Sequence, residues 1–173
     1  MQIKEPRQQL DHMLRQTRGN LVSFSQMADT KAHILLSLSS VMLSLSLTQF
    51  HDPRFTLAIA GLDIFLLLTI YFALLTVVGQ VEVFNRRKHT VQDPDYNPLF
   101  FGDYGEIPFQ AYAEHLADVM NDSDVTYETM VKDIYYAGRY LLKTKYRYIR
   151  LAYVFFFVGL VSSLVLYAVQ NVM

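Results

Sequence analysis

Apolar and polar positions alternate at helical spacing through the first part of the chain. Leu14, Leu21, Phe24 and Ala28 recur every three or four residues, or multiples of that, with Arg15, Gln16, Arg18, Ser25 and Gln26 between them. That is one apolar face of an amphipathic helix. At Asp29-Thr30-Lys31 the pattern changes. From Ala32 to Leu47 the one ionisable residue is His33, and the rest are apolar, Ser or Thr. With no Gly or Pro between Asn20 and Pro53, a single helix is predicted from about Leu10 to Phe50, leaving water near Lys31 and entering lipid. Two further apolar blocks, roughly 55–79 and 151–170, are long enough to cross, since about 20 mainly apolar residues span roughly 30 Å of hydrocarbon. The first block, 33–50, is shorter and rich in Ser. Pro53 in the segment His51-Asp52-Pro53-Arg54 stops the first helix, so the first two spans are expected to form an antiparallel hairpin. The predicted fold is an all-α membrane protein with three transmembrane helices, two of them continuous with long cytoplasmic amphipathic helices.

The segment between the second and third blocks is polar and mixed. The second helix is expected to run on through Glu82 to Arg86-Arg87-Lys88. Thr90–Ile107 holds Asp93-Pro94-Asp95-Tyr96-Asn97-Pro98 and Phe100-Phe101-Gly102-Asp103-Tyr104-Gly105, a density of Pro, Gly, Asn and Asp that makes turns. Its aromatic residues predict that it packs onto something, and ordered loops of this length are usually functional or packed. Pro108 suits the first position of a helix, and Phe109, Tyr112, Ala113, Leu116 and Met120 continue one stripe. Asn121-Asp122-Ser123-Asp124 breaks it, with Ser123 or Asp124 expected to cap the next helix. That helix carries Tyr127, Met130, Val131, Ile134, Leu141 and Ile149 and meets no breaker before the third span. Four regions follow: 1–32, a cytoplasmic amphipathic helix; 33–79, a transmembrane hairpin; 80–150, a cytoplasmic loop and helices; and 151–173, the third span with a short outer tail. In the third span Gly159 and Ser163 form a small-xxx-small pair, a helix-packing face.

Composition narrows the class. A chain of 173 residues with net charge −1 suits one small membrane unit and carries no bulk attraction for nucleic acid. The absence of Cys excludes disulfides and Cys-based metal or redox sites. The first apolar block lies too far from Met1, and has no small-residue cleavage site after it, to be a signal peptide. Of the 15 Lys and Arg residues, five precede the first span, Arg54 alone lies between spans one and two, nine lie between spans two and three, and none follows. The positive-inside rule then places the N-terminus and 80–150 in the cytoplasm, with 51–54 and the C-terminus outside.

The polar residues inside the spans are the next candidates. Ser37, Ser40, Ser44 and Thr48 share one side of span one, with Ser39 and Ser46 roughly opposite. They serve either close helix packing and bonding back to their own carbonyls or a polar path in an oligomer. Asp63 lies about a third of the way into span two, where an ionised carboxylate costs at least ~2.5–3.5 kcal/mol. It is expected to be protonated and bonded to the Ser37–Ser40–Ser44 stripe of span one, or to line or gate a pore with that stripe. At the inner-leaflet depth Asp29 and Lys31 meet Lys143, Lys145, Arg147 and Arg150, and Asp29 is expected to pair with Lys143 or Arg147. Arg86, Arg87 and Lys88 are either a lipid-headgroup anchor or a phosphate site. The chain has no Gly-rich phosphate loop, no nucleophile elbow and no His pair at metal-ligand spacing. Asp118, Asp122 and Asp124 read as a helix end and cap, since a Ca²⁺ loop needs a Glu they lack. No enzyme activity, cofactor or metal is expected.

Three stretches carry a family resemblance. Asn20-Leu-Val-Ser-Phe-Ser-Gln-Met-Ala-Asp-Thr-Lys-Ala32, followed by the Ser-rich span, resembles the opening motif of the transmembrane effectors of Pycsar anti-phage defence. Asn97-Pro98-Leu99-Phe100-Phe101-Gly102 is similar to the middle motif, and Asp133-Ile134-Tyr135 with Lys145-Tyr146-Arg147 to the closing segment. The resemblance covers nearly the whole chain with the motifs in order. It implies a bacterial abortive-infection effector in the inner membrane. A cognate cyclase would supply cyclic UMP or cyclic CMP, and the effector would sense it and impair the membrane; one hairpin plus one helix is too few spans to enclose an aqueous path, so a homo-oligomer is expected. One phosphate charge needs a basic residue beside an aromatic stacking face. Arg139 among Tyr135, Tyr136 and Tyr140 offers both, as does the Arg86–Lys88 triplet beside the Tyr96–Tyr104 loop. The alternatives are a membrane-anchored helical scaffold that binds a protein partner, and a membrane-associated hydrolase, which the lack of an acid–base–metal cluster argues against.

Overall fold

The computed structural model describes residues 8–49, 56–78, 90–93 and 96–172. Among these residues the chain is helical with no strand. Helix α1 spans Gln8–Gln49 and α2 Thr56–Val78. The short α3 is Phe101–Tyr104, α4 is Phe109–Asn121, and α5 is Ser123–Tyr140. A π turn at Leu141–Lys145 joins α5 to α6, Tyr146–Val172. Three helical stretches are long and apolar enough to cross a membrane: Gln8–Gln49, Thr56–Val78 and the run Ser123–Gln170. The all-α membrane fold is therefore as the hydropathy pattern predicts.

Three local features depart from expectation. Pro108 is the residue before α4, with φ −55° and ψ 135°, so it caps the helix from outside its first turn. Asp122, rather than Ser123 or Asp124, caps α5: its Oδ1 accepts the backbone N–H groups of Asp124 at 2.9 Å and Val125 at 3.3 Å. That meets two of the donors a helix start leaves open. The π turn was not legible. A π turn carries backbone hydrogen bonds between residues five apart in place of the four of an α-helix.

The chain forms two compact units. One comprises Met1–Ser23 with Glu82–Tyr140, and the other Phe24–Val81 with Leu141–Met173. Helices α1 and α5–α6 contribute to both. These boundaries follow contacts within the protein, whereas the regions expected at 32/33 and 150/151 follow the edge of the lipid.

The Phe24–Val81/Leu141–Met173 unit holds all three apolar blocks. Its core gathers Ala32 and Leu35 from α1, Leu66 and Ala73 from α2, and Ile149, Ala152 and Phe156 from α6. Phe72 and Phe155 stack with ring centroids 5.2 Å apart. At Gly159 an added Cβ would stand 2.5 Å from Phe65 Cβ, so the small-residue face of α6 is used within the chain, against α2. Thr69 and Thr76, fully buried, donate to the carbonyls of Phe65 and Phe72 at 2.8 and 3.0 Å. This is how hydroxyls are satisfied inside a helical span. On the outward faces Leu38, Val41, Leu45, Ile64, Leu67 and Leu164 are exposed, an apolar surface suited to lipid. Lipid supplies no hydrophobic drive between helices, so shape fit and a few polar bonds hold this unit.

The other unit is built from the start of α1, the 90–107 segment, α4 and α5. Leu14, Val119 and Tyr127 are its buried apolar residues. Tyr127 donates its hydroxyl to Asp11 Oδ1 at 2.7 Å, tying α5 to α1.

Candidate functional site

The 90–107 segment is ordered by its own turn residues. Thr90 N–H donates to Asp93 Oδ2 at 2.8 Å, and Tyr96 N–H to the Asp93 carbonyl at 3.0 Å. Asn97 then opens a tight turn through Pro98. Its side-chain oxygen accepts from Leu99 N–H at 3.0 Å, and its carbonyl accepts from Phe100 N–H at 3.1 Å, the local competition that makes Asn a turn former. Asp103, in α3, closes the loop by accepting from Asn97 N–H at 2.9 Å. Tyr112 of α4 donates to the Pro98 carbonyl at 3.3 Å.

This turn is anchored on Asp133. The Asn97 amide donates to Asp133 Oδ1 at 3.0 Å, and Arg18 of α1 pairs with Asp133 Oδ2 at 2.9 Å. The Asp133 side chain is 8% exposed and that of Arg18 39%. A buried carboxylate is tolerable when charge and hydrogen bonds both compensate it. Two of the three sequence motifs meet here: Asn97 belongs to the middle stretch and Asp133 to the closing stretch, while Arg18 lies two residues before the opening one.

Beside this anchor lies a cavity of about 210 Å³, lined by Val91, Asp93, Tyr96, Asn97, Pro98, His115, Val119, Val125, Thr129, Lys132 and Tyr136. Tyr96 meets His115 edge-on, with ring centroids 5.3 Å apart. Lys132 is exposed and pairs with Glu128 at 2.9 Å. The Tyr96 hydroxyl is buried and has no hydrogen-bond partner among the described residues. Burial, then the neighbouring Tyr112 and Asp103, push its pKa above the ordinary 10. The cavity lining thus combines aromatic walls, an imidazole and a cation, while the Asn97 amide is taken up by Asp133 and Leu99.

Of the residues proposed from sequence, Tyr136 lines this cavity. Tyr135 packs edge-on against Tyr136 at 5.5 Å and is exposed. Arg139 is exposed in the last turn of α5 and is not part of the lining. Arg86, Arg87 and Lys88 lie outside the described residues. Sequence reasoning missed Tyr96, Asn97, His115 and Lys132 as a group, because nothing in spacing alone brings the turn to α4 and α5. The available signal was an aromatic-rich, turn-dense segment too apolar for a linker.

A second polar clasp lies in the other unit. Lys145 Nζ donates to Asp29 Oδ1 and Oδ2 at 2.7 and 2.6 Å and to Ser25 Oγ at 2.8 Å. Its side chain is 11% exposed. This corrects the expected partner of Asp29, which was Lys143 or Arg147. Lys145 lies four residues from each of the buried Leu141 and Ile149 and shares their inward face. Lys31, Lys143 and Arg147 are exposed.

Within the spans, Ser46 donates to Asp63 Oδ1 at 2.5 Å, and Asp63 is 9% exposed. The structure thus separates Asp63 from the serine stripe with which it was grouped. Ser39 and Ser46 face inward, whereas Ser37, Ser40, Ser44 and Thr48 are exposed. Among the described residues no group of three His, Cys, Asp or Glu could hold a metal ion.

Comparison with known proteins agrees with the motif reading. The model of the PycTM family, described as the Pycsar effector protein domain, matches residues 12–170. No curated protein matches the chain, and no solved structure does. With nearly the full length matched, including both polar clasps and all three apolar helices, the chain belongs to the PycTM family of Pycsar effectors and is a membrane-seated anti-phage effector.

Proposed function

We propose that this effector senses a cyclic pyrimidine mononucleotide, cyclic UMP or cyclic CMP made by a cognate cyclase, and in response impairs the inner membrane by self-association. The observation that carries the reading is the cavity beside the Asn97–Asp133 anchor, where the aromatic rings of Tyr96 and Tyr136, His115 and Lys132 line one site. A ring can stack on such walls while a cation takes the single phosphate charge. Lys132 is the phosphate partner on the lining, with Arg139 beside Tyr135 and Tyr136 the second choice and Arg86–Lys88 the third. Membership of a Pycsar effector family supports the ligand class and the defence role.

For the membrane step, three spans in one chain are too few to enclose an aqueous path, so damage requires several copies. The exposed Ser37, Ser40, Ser44 and Thr48 stripe offers a polar contact face between copies. Asp63 holds the span-one/span-two hairpin through Ser46. Ligand shifts the population toward the assembled form by binding it more tightly. The orientation is N-terminus and 80–150 in the cytoplasm, C-terminus in the periplasm.

The test is dye release from liposomes carrying the purified protein. Release should begin on adding cyclic UMP or cyclic CMP and stay at background without it. Equal release with and without nucleotide rejects the sensing role. A scaffold for a protein partner has some support in the exposed Leu99, Phe100, Phe101 and Phe109, and it would release no dye in either condition.

A further inference from the structure

We propose that the outer face of α4 docks on the Tyr135–Arg139 ridge of α5 in a second copy of this chain, a head-to-tail contact that builds the assembly. This rests on the self-association proposed above and adds a contact outside the three apolar blocks.

The α4 face is apolar along one side and acidic along the next. At about 100° per residue, Phe109, Ala113 and Met120 share one side of the helix, and Gln110, Glu114 and Asp118 the adjoining side. The inward side is used within the protein: Tyr112 donates to the Pro98 carbonyl, His115 meets Tyr96, and Val119 is buried. On the outer side Phe109 is 82% exposed and Met120 65%, and Glu114 and Asp118 are exposed beside them. An aromatic anchor rimmed by polar residues is the composition of a protein interface.

Charge selects the occupant. Nine of the 16 acidic residues fall within 90–131, and none of the 15 Lys and Arg residues does. Anionic lipid headgroups attract basic segments and repel a face of this sign, so a lipid surface is not the occupant. The same repulsion keeps two α4 faces apart. The complement lies on α5 of the same chain. Tyr135 and Arg139, one helical turn apart, are both exposed, and Tyr136 braces Tyr135 edge-on at 5.5 Å. Tyr and Arg are the residue types that most often carry binding energy. Arg139 of one copy meets Glu114 and Asp118 of the next, and Tyr135 packs on Phe109. Arg139 is then a contact between copies, and Lys132 stays the phosphate partner on the cavity lining. A contact between two unlike faces is heterologous, so it repeats from copy to copy and closes into a ring when the rotation allows. A ring is the arrangement that surrounds a path with spans from several chains.

The chain has no Cys, so single introduced cysteines report this contact alone. The full chain is reconstituted in liposomes, without nucleotide and with cyclic UMP or cyclic CMP. Phe109→Cys and Tyr135→Cys proteins mixed in the same liposomes should give a disulfide-linked dimer on mild oxidation in the presence of nucleotide. Neither alone should do so. Separately, Glu114→Arg with Asp118→Arg should weaken self-association about tenfold or more, and adding Arg139→Glu should restore it. Phe109→Cys linking to itself overturns the head-to-tail contact. So does an unlinked mixture when wild type is oligomeric, which leaves self-association standing and the α4 face to another partner. Failure of the charge swap to restore assembly overturns it as well. A wild type that is monomeric with and without both nucleotides overturns self-association and this contact with it.

Discussion

Asp133 shows what a single side chain settles in this protein. It sits on α5, yet its two oxygens serve the Asn97 turn and Arg18 of α1. Removing it leaves a buried amide without an acceptor and a half-exposed guanidinium without a partner. The amide is the larger loss, because Arg18 can turn to water. Asp133→Ala should therefore lower the unfolding free energy by about 1–3 kcal/mol, and Arg18→Gln by less. Thermal or denaturant unfolding in detergent measures both. An Asp133→Ala protein as stable as wild type would mean that the turn is held by other contacts. Asn97 could be singled out as a turn residue from Asn-Pro alone, but its side-chain donor goes to a residue 36 positions away, which no local rule reveals.

Helices α2 and α6 approach closely because Gly159 has no side chain. An alanine there would place Cβ 2.5 Å from Phe65 Cβ, an atom fixed to the α2 backbone that cannot swing aside. Gly159→Ala should cost about 1–3 kcal/mol through forced separation of the two helices. Gly61→Ala is the control, since its Cβ would first meet the tip of Leu166 at an ordinary 3.4 Å, and it should be near neutral. Melting of the two variants in detergent checks this, and equal melting would show that α2 and α6 yield easily. The π turn lies at the same scale. Lys145, its last residue, is four residues from each of the buried Leu141 and Ile149 and so shares their inward face, where it meets Asp29 and Ser25.

Over the whole molecule the organising quantity is the distribution of charge about the three apolar helices. In the orientation proposed, fourteen of the 15 Lys and Arg residues lie on one side of the membrane. A reporter fused after Met173 should be active in the periplasm and silent in the cytoplasm. Cytoplasmic activity would require two spans instead of three or the reverse insertion, and reverse insertion would put the cavity proposed to bind nucleotide on the periplasmic side, the wrong compartment for a cytoplasmic signal.

The sequence by itself determined the class of fold and the membrane seat, because both depend on quantities that add along the chain. Apolar residues from 33 to 50, 55 to 79 and 151 to 170 sum to three spans whatever they touch, and helical spacing with few breakers leaves no competing structure. Much of the order of elements was legible for the same reason, including the turn-dense 90–107 segment and the helix pair after Pro108. Tertiary structure alone decided the pairings. Asp29 found Lys145 and not Lys143 or Arg147, because Lys145 shares the inward face of the buried Leu141 and Ile149, and depth in the membrane alone does not choose among the basic residues. Asp63 found Ser46 on the inward face and not the Ser37–Ser40–Ser44 stripe, because the rotation of α1 is set by packing Ala32 and Leu35 against α2 and α6. The cavity gathers Tyr96, His115, Lys132 and Tyr136 from the loop, α4 and α5. A single contact of this kind depends on the direction of two helices at once, and a one-dimensional pattern fixes the period of each helix but not the angle between them.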